Sequence, residues 1–124
     1  MTSSDLADVV AVLRRQFLLS DADLVAGEVT EEVPPRTPGY RIVLGAFGHE
    51  IALWAPSHMA VVEVAAYVAD ELQGLVLDDA WGEPRPVCPG HAHPPWVRIQ
   101  DEAVWWVCPA TGDRIERIWP SQSD

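Results

Sequence analysis

Two short segments limit what this chain can become: Cys88-Pro89-Gly90-His91-Ala92-His93-Pro94-Pro95 and Trp106-Val107-Cys108-Pro109-Ala110-Thr111-Gly112. Together they hold both cysteines and two of the four histidines. Cys88 and His91 stand three residues apart around Pro89-Gly90, the spacing at which a tight turn offers two donors to one ion. His93 follows two residues later, and in an extended segment its ring projects to the same side as His91. Thiolate sulfur and imidazole nitrogen are the usual donors to tetrahedral zinc. The expected set is therefore Cys88, His91, His93 and Cys108, with Asp113 as the reserve for the fourth place.

The residues between the segments explain how Cys108 returns. Val97-Arg98-Ile99-Gln100 and Ala103-Val104-Trp105-Trp106 pair about Asp101-Glu102, so that Ile99 faces Val104 and Val97 faces Trp106. The same register carries Cys108 to the level of Pro95. Arg98 then lies opposite Trp105, where a cation–π contact is expected. A last strand, Arg114 to Trp119, pairs with 103–108 and completes a three-stranded ribbon. A Cys88–Cys108 disulfide and a pair of buried reduced thiols remain the alternatives to a metal.

The Cys-Pro-x-His and Trp-x-Cys-Pro-x-x-Gly pieces resemble zinc-ribbon knuckles. A ribbon's second knuckle gives two ligands, but here Thr111 stands where the second would be. Trp81 with Cys88-Pro89-x-His91-x-His93-Pro94 and Trp106-x-Cys108-Pro109 is also similar to a set of small uncharacterised bacterial proteins, over roughly residues 60–119. That resemblance bears on the site and implies no activity.

Upstream, Leu6, Val9, Val10, Leu13 and Phe17 recur at helical spacing and predict a helix over Ser3–Leu19, capped by Ser3 or Ser4. A short strand is expected around Val25–Glu32. Pro34-Pro35-Arg36-Thr37-Pro38-Gly39 reads as a loop. Tyr40–Ala55 reads as a hairpin folded about Phe47-Gly48. Leu44 then faces Ile51, Ile42 faces Leu53 and Tyr40 faces Ala55 on one apolar face, opposite a mixed face of Arg41, Val43, Glu50, Ala52 and Trp54. A second helix is expected from Ser57, as N-cap, to Gln73, ending at Gly74 and burying Val61, Val64, Ala65, Val68 and Leu72. Leu75-Val76-Leu77 then begins a strand or a passage to a loop. His49 reads as solvated, His58 falls in the first turn of the second helix with no second ligand at i+4, and Asp78-Asp79 reads as a solvated turn.

The fold class expected is α+β: one domain over 1–124, with two helices packed on an antiparallel sheet and a C-terminal zinc-bound β-ribbon. Residues 1–80 form the helix–hairpin–helix core and 81–119 the ribbon subdomain.

The net charge of −11 opposes a nucleic-acid partner, which needs cations against phosphate. No apolar run is long enough for a bilayer span, and no secretory leader is evident, so a cytoplasmic location follows. Four protein ligands leave zinc no open position for water, which points to a structural metal rather than an enzyme. The expected function is that of a zinc-stabilised adaptor or regulator acting through a protein partner. Two alternatives stand beside it. One is a zinc hydrolase with three protein ligands and Glu83 or Asp113 as base. The other is an acidic immunity- or antitoxin-type inhibitor of a basic partner.

Overall fold

In the computed structural model, the described residues are 2–16, 24–32, 38–46, 49–79 and 94–120. The elements run α1 (Ser3–Gln16), β1 (Leu24–Glu32), β2 (Gly39–Ala46), β3 (His49–Pro56), α2 (Val61–Asp79), β4 (Trp96–Gln100), β5 (Ala103–Val107) and β6 (Arg114–Trp119). The strands make two antiparallel three-stranded sheets, β1-β2-β3 and β4-β5-β6. Both helices touch strands of both sheets, so the helix pair is the common surface on which the sheets pack. This is a small α+β domain.

The first helix starts earlier than its serines suggest. Asp5 N–H donates to Thr2 Oγ1 at 3.1 Å, and Thr2 N–H donates back to Asp5 Oδ2 at 2.9 Å. Leu6 N–H donates to the Thr2 carbonyl at 3.2 Å. Thr2 is therefore the N-cap of a reciprocal capping box, in place of Ser3 or Ser4. Leu6, Val9, Val10 and Leu13 of the expected stripe are buried, and Val12 is buried with them. Phe17 lies outside the described residues.

The hairpin has the expected register: Leu44 pairs Ile51, Ile42 pairs Leu53 and Tyr40 pairs Ala55. Tyr40, Ile42, Leu44, Leu53 and Ala55 are buried on the shared face. The other face is mixed, with Arg41, Glu50 and Ala52 exposed but Val43 buried. The fold about Phe47-Gly48 and the loop at 33–37 lie outside the described residues. Gly39 opens β2 where only glycine fits. A Cβ there would stand 2.4 Å from the Ala55 carbonyl oxygen and 2.7 Å from Trp54 Cζ2.

The second helix departs from expectation at both ends. Ser57 is no N-cap; its N–H donates to the Pro38 carbonyl at 2.9 Å, continuing the β2–β3 ladder. Met59 N–H closes a turn onto the Pro56 carbonyl at 3.0 Å. The helix begins after Ala60, whose carbonyl accepts from Glu63 and Val64. It does not end at Gly74 but continues through Leu75-Val76-Leu77 to Asp79. Val64, Ala65, Val68, Ala69 and Leu72 are buried up to this point, Gly74 itself does not take the left-handed conformation of a helix terminator, and one glycine inside a helix costs only about 1 kcal/mol.

Val104, Trp106 and Ile118 from the second sheet join α1, α2, β2 and β3 in one core. Among the described residues, Trp106 is the largest fully buried side chain.

Candidate metal site around Cys108

Cys108 follows the last residue of β5 and roots the turn into β6. Its N–H donates to the Asp113 carbonyl at 2.8 Å, and its carbonyl accepts from Gly112 N–H at 2.7 Å. The second bond spans four residues. It requires the chain to reverse its hand at Gly112, whose φ is +79°. Pro109, with its fixed φ, suits the first position of such a turn. Thr111 Oγ1 accepts the Asp113 N–H at 3.2 Å. The tip, from Ala110 to Asp113, is exposed, while Cys108 is 3% exposed. A thiol thus sits at the sheltered base of a well-ordered hairpin turn, with Thr111 three residues on, facing solvent.

The approach of β4 agrees with the expected pairing. Val97 pairs Trp106 and Ile99 pairs Val104. The last bridge is Trp96 to Val107, so one further step sets buried Pro95 opposite Cys108. β6 pairs β5 as the third strand. Of the four expected ligands, only Cys108 is described; Cys88, His91 and His93 lie outside the described residues, as does Glu83. Among the described residues, no group of three or more His, Cys, Asp and Glu side chains could hold a metal. Asp113 is exposed and contributes its backbone to the turn. His58 is exposed in the turn before α2, and Asp78-Asp79 close that helix rather than forming a turn.

The expected stacking of Arg98 on Trp105 is replaced by another arrangement. Arg98 does stand opposite Trp105 in the ladder, but its guanidinium lies over Trp96, 4.5 Å from the ring centroid. Trp96 is two residues away on the same strand and therefore on the same face. Trp105 is covered instead by Arg114, at 4.6 Å. Arg114 is held there by Gln100 Oε1 at 2.8 Å and by an ion pair with Asp101.

One residue near the site was missed by pattern reading. Gln16, the last residue of α1, accepts the Trp106 indole N–H at 2.8 Å and donates to the Arg117 carbonyl at 2.8 Å. The signal was available: Gln16 follows Leu13 by three residues on the apolar stripe, where a polar side chain needs a buried partner.

The fold and this turn define a small α+β domain with a sheltered thiol at a hairpin root. No protein-family model matches the chain, and neither a curated protein nor a solved structure matches it. Among the described residues, no helix is long and apolar enough to cross a membrane.

Proposed function

We propose that this is a zinc-binding protein in which Cys88, His91, His93 and Cys108 hold one structural ion, and that it serves as an adaptor or regulator through contact with another protein. The observation that carries the reading is the turn at Cys108. A buried thiol at the base of a proline-opened, glycine-closed turn is a suitable donor. The strand register adds that Pro95, two residues beyond His93, comes opposite it. Two thiols and two imidazoles fit zinc's preference for a tetrahedral set, and a closed set stabilises structure instead of activating water. A cytoplasmic location suits thiols kept as ligands rather than joined as a disulfide. The net charge of −11 favours a basic protein partner over a nucleic acid.

Metal analysis of the protein purified under reducing conditions tests this. The expected result is one zinc per chain, lost in Cys108→Ser and in Cys88→Ser. Protein that carries no metal although both cysteines remain reduced thiols would overturn it.

A further inference from the structure

Among the described residues β4 is an edge strand, and three of its five residues face solvent. Trp96 is 50% exposed and Ile99 47%, two of the three large apolar side chains so placed among the described residues. The hydrogen-bond phase of this edge follows from its turn. Asp101 and Glu102 have φ of 53° and 61°, which makes a two-residue hairpin of the doubly left-handed kind. Such a loop closes on a hydrogen-bonded pair, here Gln100 with Ala103, and bonded pairs alternate along the ladder. Arg98 and Trp96 therefore bond to β5, and the peptide groups of Val97 and Ile99 point away from the sheet. One side-chain contact agrees with this phase. Arg98 Nη1 donates to the Val97 carbonyl at 2.8 Å, capping an acceptor that β5 does not use.

We propose that β4 is a self-association edge, on which a second copy of this chain pairs antiparallel about Val97 to give a continuous six-stranded sheet. The register is chosen by the side chains. Centring on Val97 sets Trp96 opposite the partner's Arg98, and Arg98 opposite the partner's Trp96. The guanidinium–indole contact already made within the strand at 4.5 Å is then repeated across the seam. Centring on Arg98 would instead oppose two like charges, which disfavours it. In the Val97 register the two Val97 peptide groups bond to each other, and each Ile99 N–H meets the partner's Pro95 carbonyl. Arg98 releases the Val97 carbonyl and keeps its place over Trp96. The guarding guanidinium thus makes the edge selective, because only a strand that offers an aromatic ring opposite it compensates for the lost cap. The proposal does not depend on the metal.

Sedimentation velocity on the full chain tests it, from low micromolar to several hundred micromolar protein. The expected mass rises from that of the 13.6 kDa monomer towards twice that value. Two chains that each carry −11 repel, so salt should strengthen the association. Trp96→Arg sets like charges opposite each other twice and should weaken the dimer by about tenfold or more. Mixing Trp96→Arg with Arg98→Trp restores both guanidinium–indole pairs and should recover a mixed dimer. Unchanged circular dichroism in each variant separates loss of pairing from loss of fold. A monomer at the highest concentration and salt would overturn the proposal. So would a dimer that Trp96→Arg leaves intact, or an edge that takes up a basic extended peptide while the protein stays monomeric.

Discussion

Replacing Gly74 by alanine tests the course of α2 most directly, because two readings of the same glycine predict opposite signs. As a helix-ending residue in the left-handed conformation, Gly74 would resist alanine, and the substitution would cost about 1 kcal/mol. In the structure the helix runs from Val61 to Asp79, so Gly74 is an interior residue. It is exposed, and a Cβ built there meets nothing within 4 Å. No packing change offsets the backbone effect, so the full difference between glycine and alanine in a helix should appear, about 0.8–1.0 kcal/mol in favour of alanine. Much of it comes from the unfolded chain, which loses freedom when glycine is replaced. For a chain of 124 residues this corresponds to a rise of about 3–6 °C in Tm. Urea unfolding should show a higher midpoint at unchanged slope. A midpoint lowered by a similar amount would refute the interior placement and return the helix end to Gly74.

Two further substitutions probe the C-terminal sheet. Gln16→Met keeps the length of the side chain but removes both the acceptor for the Trp106 indole and the donor to the Arg117 carbonyl. It should cost about 1–3 kcal/mol and alter the near-ultraviolet circular dichroism of the tryptophans; an unchanged spectrum and midpoint would show that the clamp contributes nothing. Glu102→Gly relieves a non-glycine residue at φ 61° without touching the Arg114–Asp101 pair. A gain of about 0.5–1 kcal/mol is expected by calorimetry, and a loss would mean that the Glu102 side chain makes a stabilising contact.

The strands were legible in the residues because the pattern constrained them twice over. In Tyr40–Ala55 and in Val97–Trp106, alternation set the face, and the position of the turn set the register. A slip by one residue would have turned every apolar side chain to the wrong side. Helix ends had no such double constraint. Ser57 and Gly74 have the chemistry of an N-cap and a terminator, yet Ser57 N–H is claimed by Pro38 and Gly74 is carried through by the helix around it. Local preferences of about 1 kcal/mol decide an end only when no tertiary contact of that size competes. Thr2 was passed over for a related reason. Three candidate hydroxyls stand in a row, and the choice among them depends on Asp5, whose carboxylate reaches back to the Thr2 N–H.

At the candidate site, ligand spacing and strand register are separate pieces of information. Spacing makes Cys88, His91, His93 and Cys108 the expected donors, of the residue types zinc takes. Register shows whether the return path brings the late cysteine to the early segment. For the described residues, the ladder ends at the Trp96–Val107 bridge, which leaves Pro95 as the next residue across from Cys108. The tryptophans show why composition alone was insufficient. Four of the six fall after residue 90, and an accumulation of this kind reads first as core and second as an exposed interaction face. Trp106 is fully buried beneath the helices, and Trp96 stands half exposed on β4. Neighbouring residues with opposite strand parity account for the split. Positions 97, 104 and 106 point towards α1 and α2, whereas 96, 98 and 105 point outward, where arginines rather than aliphatic side chains cover the rings. A strand that buries one face against helices and lays guanidinium groups along the other can keep a half-exposed ring in place. That is the condition under which the ring stays available to a partner.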